Sequence, residues 1–262
     1  LIRRILAGLL ALALLTPAYA GFPGGGSGQP RGQCAPGNNN NTLALLHMDG
    51  ANGGTSFADN NAGGIAATWT ASSATTSTTA PKFGTASYLG SATSNARIQS
   101  SQNGAYGAGT SDFYVDFWFK AGAGLSTTLQ YIAGYGDPSL STQSGWYIYY
   151  DASKNLRFNF QNTSNANAQT TTGVTTIVDG NWHYIMAVKN SSNVQLYIDG
   201  VATGTPTGVS GSMQTAGTMQ LRIGSVPQTF GTANPLQGNV DEFHYQLGAP
   251  LSIVPNSVPY CN

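Results

Sequence analysis

From residue 43 onward the chain alternates short apolar runs with clusters of Gly, Asn, Ser and Thr. The clearest runs are 43–48, 113–120, 146–150, 156–160, 182–189, 194–198, 219–223 and 239–245. Each is rich in aromatic and β-branched residues and bounded by turn formers, which is the pattern of a β-strand. In 113–120, Phe113, Val115, Phe117 and Phe119 alternate with Tyr114, Asp116, Trp118 and Lys120. Period 2 gives one apolar face toward a core and one mixed face. Val194, Leu196 and Ile198 alternate in the same way with Gln195, Tyr197 and Asp199. The polar stretch Asn190, Ser191, Ser192, Asn193 separates two of the runs, and Asp199-Gly200 suits a type I′ hairpin turn because both residues tolerate positive φ. Segments 72–80 and 161–176 are polar and of low complexity, and read as loops on a rim. No window beyond the N-terminus has a helical period. The expectation is an all-β, two-sheet antiparallel sandwich.

The N-terminus reads differently. Arg3 and Arg4 precede an apolar stretch over 5–15, and Ala18-Tyr19-Ala20 offers a small-residue cleavage site. That is the layout of a signal peptide over residues 1–20, and the stretch falls short of the roughly 20 residues that span a bilayer. No membrane insertion is expected after cleavage, and the location implied is secreted, periplasmic or cell-surface. Residues 21–42 hold seven Gly, three Pro and the run 38–41 of Asn, so they read as a flexible linker before a domain at 43–262. Two cysteines, Cys34 and Cys261, stand near the two ends of the exported chain. In an oxidising compartment they pair by default, which would set the termini side by side; two free thiols or an interchain link are the alternatives.

Composition narrows the function. Only 8% of the 262 residues are charged and the net charge is zero, so the basic footprint of a nucleic-acid binder is missing. Among ten acidic residues only Glu242 is a glutamate. Glycoside hydrolysis usually needs two carboxyl groups flanking the bond, and no Glu-x-Asp-x-Glu triplet occurs. His47, His183 and His244 each sit in an apolar run and read as strand residues on a partly covered face, with a catalytic or metal-binding role as the alternative. An enzyme is therefore not expected.

Six segments, in order, resemble one family. DGNWHYIMAVKNSSNVQLYIDG resembles its W-H-h-v-A-v … l-Y-i-D-G hairpin, and GNVDEFHY its closing G-x-i-D-E-v-r-i-y strand. LALLHMDGANGGTSFADNNAG is similar to its opening strand and first loop; PKFGTASYLG, FYVDFWFK and LRIGS match segments between. Together they cover about residues 43–254 and resemble the laminin-G-like branch of the concanavalin A-like lectin/glucanase superfamily. The resemblance implies a jelly roll with its termini paired near one edge. In such a fold Trp182 and Tyr184 are expected to pack in the core and between the sheets. It also implies a structural Ca²⁺ where the first loop meets the last strand, with Asp49, Asp59 and Asp241 at the matching positions; as turn formers and a strand residue they have an ordinary alternative. The function expected is a secreted, non-catalytic carbohydrate-binding or adhesive module. Tyr114, Asp116, Trp118 and Trp146 are the candidates to contact a glycan or surface polysaccharide. The alternative is a structural component of a virion or cell surface with a protein partner.

Overall fold

The computed structural model describes residues 34–91, 96–123, 129–136, 144–164, 166–171, 176–215, 217–225 and 236–262. The signal segment 1–20 and the linker stretch 21–33 lie outside the described residues. Among the described residues fifteen strands form in chain order. They are β1 (Thr42–Leu46), β2 (Trp69–Ser72), β3 (Thr75–Ser77), β4 (Ser87–Leu89), β5 (Arg97–Ser100), β6 (Phe113–Ala121), β7 (Gln130–Tyr135) and β8 (Trp146–Tyr150), followed by β9 (Leu156–Gln161), β10 (Asn167–Thr171), β11 (Trp182–Lys189), β12 (Asn193–Ile198), β13 (Val201–Gly208), β14 (Leu221–Ile223) and β15 (Gly238–Leu247). Among the described residues the helical elements are two short 3₁₀ turns, Gly104–Tyr106 and Thr176–Val178.

The strands make two antiparallel sheets. The first runs β13-β12-β11-β6-β15-β4-β3, with β1 also on β15; the second runs β10-β9-β8-β7-β14-β5-β2. β15 is shared along one edge: its first residues pair with β4 and its later ones with β1. Between them the register against β6 slips between Asp241 and His244, where Glu242 takes φ 51°. Such a bulge bends the strand and re-aims its side chains.

The alternating parity decides the core. Phe113, Val115, Phe117 and Phe119 pack between the sheets against Trp146, Ile148, Phe158 and Phe160. Phe113 lies 5.6 Å from the Tyr245 ring and Trp146 lies 5.3 Å from it. Edge-on aromatic pairs of this kind add about 0.5–1.5 kcal/mol each beyond their burial. Asp199 and Gly200 both take positive φ, 51° and 81°, so the β12–β13 turn forms as the dipeptide requires.

Several sequence expectations change here. Trp182 and Tyr184 have the opposite parity to Ile185 and Ala187, so they leave the inter-sheet core and join a second apolar cluster with Tyr114, Trp118 and Met186 on the far face of the first sheet. Segment 161–176 contains β10, which pairs with β9 through its backbone, and 72–80 contains β3. Ladder hydrogen bonds are made by any backbone, and polar composition hides them. Residues 34–42 are built into the domain instead of acting as linker. The Asn38 side chain bonds Asn60 O, Cys261 O and Ala62 N, and Ala35 bridges to Tyr260 in parallel register. Cys34 and Cys261 form the disulfide, with Cα atoms 4.9 Å apart.

Candidate functional site

Two sheet faces turn away from the core, and they differ in character. On the first sheet the face carries Tyr114, Asp116 and Trp118 of β6, three of the expected glycan contacts. The structure brings them together but covers them: Asp116 is wholly buried, and Tyr114 and Trp118 are 3% and 7% exposed. The segment after β15 lies over them. Asp116 Oδ2 accepts from Tyr260 Oη at 2.7 Å and Tyr184 Oη at 2.9 Å, and Oδ1 lies 3.0 Å from His244 Nδ1. Glu242 Oε2 accepts from Tyr260 N at 2.8 Å, and Oε1 pairs with His47 Nδ1 at 2.7 Å. Burial and the Asp116 charge push the Tyr184 and Tyr260 hydroxyls far above their ordinary range, so both remain donors. Burial opposes the His47 cation, yet Glu242 and Asn262 outweigh it and raise its pKa. Asp241 is pushed up to about 8 by burial and then by the Glu242 charge, against the N–H groups of Phe83 and Lys82. This is a buried hydrogen-bond network that fastens the C-terminal segment, not an open surface, with His244 Nε2 and Trp118 Nε1 left without a hydrogen-bond partner among the described residues. Trp146, the fourth candidate, is wholly buried between the sheets and shares no face with the other three.

The expected Ca²⁺ ligands do not fit a shared cation. Asp59 accepts from Leu45 N, Asn61 N and Trp69 Nε1; Asp49 accepts from Thr85 N, Thr85 Oγ1 and Ala86 N; Asp241 accepts from Lys82 N, Phe83 N and Glu242 N. A hard cation needs several oxygens converging on one point, whereas these three carboxylates serve three separate donor sets. No group of three acid, His or Cys residues among the described residues is placed to hold a metal.

The far face of the second sheet has different chemistry. In β8, Trp146, Ile148 and Tyr150 point inward, which sends Tyr147 and Tyr149 outward, where they cluster with Tyr131 of β7. The same parity sends Arg157, Asn159 and Gln161 outward from β9, Arg222 from β14, and Arg97 and Gln99 from β5, because Leu156, Phe158, Phe160, Leu221, Ile223 and Ile98 take the core. Cross-strand pairing sets Asn159, Tyr147, Gly134, Arg222 and Gln99 in one row, a span of about 19 Å at ordinary strand spacing. Gly134 is tightly packed in that row, since a Cβ there would sit 3.0 Å from Trp146 O and 3.3 Å from Tyr147 Cβ. The side chains of this row are nearly covered as well: Tyr147 is 3%, Arg222 4% and Asn159 5% exposed. Exposure rises toward the edge, where Gln99 is half-buried and Thr70 exposed.

The polar atoms of this floor are mostly held. Tyr147 Oη donates to Gln161 Oε1 at 2.8 Å, Arg222 Nη2 to Gln220 Oε1 at 2.7 Å, and Arg97 Nε to Gln99 Oε1 at 2.7 Å. Burial, then Tyr149, pushes the Tyr131 hydroxyl up to about 12. Asn159 Oδ1 is buried and, like several other buried polar atoms of the domain, accepts no hydrogen bond among the described residues. A buried acceptor without a donor costs about 1–3 kcal/mol. Sequence reasoning missed this face although the signal was present, in the second parity of Trp146–Tyr150 and Leu156–Gln161.

Strand order and the two-sheet core define an all-β jelly-roll sandwich. A family model described as the concanavalin A-like lectin/glucanases superfamily matches residues 89–246, more than half of the chain, and the chain belongs to that superfamily. No curated protein matches it by sequence. Similar solved structures include the binding domain of Paraclostridial Mosquitocidal Protein 1, at TM-score 0.61 and 14% identity over 80% of this chain and 49% of that one. The receptor-binding domain of botulinum neurotoxin mosaic serotype C/D follows at 0.58 and 15% identity, over 83% and 49%. The botulinum neurotoxin serotype D binding domain gives 0.56 and 13%, over 79% and 48%. The chain thus spans about half the length of those chains, and at these identities the likeness is one of fold.

Proposed function

We propose that this chain is an exported, non-catalytic binding module that holds a glycan on the far face of its second sheet. The observation that carries the reading is the cluster of Tyr131, Tyr147 and Tyr149 on that face, beside Asn159 with its donorless Oδ1. Flat phenol rings suit the C–H surfaces of sugars, while amide and guanidinium groups suit their hydroxyls. Superfamily membership and the fold shared with proteins titled as binding domains support a binding role. The absence of catalysis is supported by the carboxylates: those of the first sheet are fastened in the network around Tyr260, and Asp151, next to the second, is held by Arg157 at 2.7 Å and by Asn155. Export is supported by the signal-like segment and by the disulfide, which persists in oxidising compartments. No helix among the described residues is long and apolar enough to cross a membrane.

The test is a glycan array probed with the full chain and with Asn159→Leu. Loss of a reproducible glycan signal, together with a higher urea midpoint, is the expected result. Relieving a buried unpaired acceptor should stabilise the fold by about 1–3 kcal/mol. An unchanged array signal would reject the face as the site.

A second reading, a protein contact in a surface or virion assembly, is favoured by one corner. Val201, Leu251 and Val254 are 67%, 72% and 64% exposed, and Val254 lies against the Gly200 turn. Sedimentation of the full chain beside Leu251→Asp decides it, since self-association that the variant removes would support contact through this corner.

A further inference from the structure

The strap that follows β15, residues 249–262, is fastened at its tip. Ala35 N donates to Pro259 O at 2.7 Å, and Cys261 N to Ala35 O at 3.0 Å. Glu242 and Asp116 accept from Tyr260 N and Oη, the Tyr260 ring centroid lies 4.5 Å from that of His244, and Asn262 Oδ1 is 2.7 Å from His47 Nε2. The disulfide to Cys34 completes the set. The stem is held differently. Its root is tied by Gly248 N to Asp112 O at 2.7 Å, and among the described residues no backbone group of 249–258 bonds to either sheet. Val254 N turns back onto Ser252 Oγ. Leu251, Ile253 and Val254 are exposed, and a cleft separates Asn256 and Val258 of the stem from Phe83, Trp118 and Tyr184. The strap thus carries its recognition in Pro259–Asn262, on a loosely seated stem stiffened by Pro250 and Pro255.

We propose that two copies of this chain exchange these tips, each strap taking the other copy's seat and each Cys261 bonding the other copy's Cys34. This goes beyond the corner contact raised above, since it names a second copy as partner and a covalent link as fastening, and it does not depend on the glycan reading. Every bond of the tip listed above is made to the body of the domain, at Ala35, His47, Asp116, Glu242 and Cys34. An identical tip from a second copy satisfies them all, so exchange leaves no new group unpaired. Residues 249–258 reach about 33–36 Å when extended, enough to carry the tip from its own seat to that of an abutting copy. A two-fold pair sets the two stems side by side, which covers the Leu251, Ile253 and Val254 side chains that one copy leaves in water. The chemistry balances. Two closed chains and one exchanged pair hold the same two disulfides, and a small thiol that opens the first by attack is released when the last one re-forms.

The experiment unfolds and reduces the full chain, then refolds it at two concentrations in a glutathione redox buffer that lets disulfides equilibrate. Products are alkylated, resolved on non-reducing gels and peptide-mapped. A tethered tip meets its own seat at an effective concentration on the order of 1 mM, so exchanged straps should rise about a hundredfold, to roughly one in ten, between about 1 µM and about 0.1 mM chain. The dimer should map to Cys34–Cys261 links alone and revert to monomer on reduction. A second arm mixes Cys34→Ser chains with Cys261→Ser chains, where a seated link can form only between copies. With oxidised glutathione as electron acceptor, the mixture should yield a Cys34–Cys261 heterodimer; should either variant fold poorly, the concentration series of the intact chain decides. Monomer alone at both concentrations would overturn the exchange. Cys34–Cys34 and Cys261–Cys261 links formed as readily as the mixed one would overturn it too, by showing random collision of thiols. Association that is non-covalent and lost in Leu251→Asp would support the corner contact alone, and the exchange would again be rejected.

Discussion

Asp116 shows how much one side chain can organise. Its carboxylate is the common acceptor for two tyrosine hydroxyls and faces a histidine ring, and all of these are buried. Asp116→Ala should therefore cost about 3–5 kcal/mol in urea unfolding, because it strands several buried donors at once. A loss below about 1 kcal/mol would mean that the network is not what fastens the C-terminal segment. Nearby, His47 and Asp241 set a pH dependence. The His47 pKa is raised, so its contribution is whole below the unfolded value and fades as pH climbs through the folded one. Asp241, raised to about 8, acts in the same sense, since the folded state keeps a proton that the unfolded chain has already released. The thermal midpoint is expected to fall between about pH 5 and pH 8. Asp241→Asn should remove most of that slope and His47→Gln a smaller part. A slope that survives in both variants would contradict the assignment.

Strands were legible in the sequence to the extent that their parities differ in chemistry. Trp182–Lys189 and Trp146–Tyr150 follow the apolar runs to the residue, because aromatic and β-branched side chains mark them along their whole length. Thr75–Ser77, Asn167–Thr171 and Val201–Gly208 escape notice because edge and near-edge strands owe their form to backbone pairing. The site is less legible for a related reason. Within WYIYY both parities are aromatic, so nothing local tells which one enters the core. Only the partner strands, with Phe158 and Phe160 inward and Asn159 outward, settle that Trp146 is buried and Tyr147 turned away. Asp116 misleads in the opposite sense: a charged residue on the mixed parity of a strand reads as surface until the chain's own end is found lying over it. The bulge between Asp241 and His244 is silent in sequence, yet it aims Glu242 at both His47 and the Tyr260 backbone.

For the whole molecule, the disulfide joins residues 227 positions apart. Cys34→Ser with Cys261→Ser should lower stability by about 2–5 kcal/mol. It should also free the segment after β15 to limited proteolysis ahead of the sheets; cutting that begins elsewhere would argue against that order. The same bond decides what happens when the domain is tugged. A chain held in place upstream of Cys34, and pulled from beyond Cys261, passes tension from one sulfur to the other across a Cα separation of 4.9 Å. The sheets hang outside that path as a closed loop. Flow or shear acting through the ends would stretch the tether and leave both sheets in their resting shape.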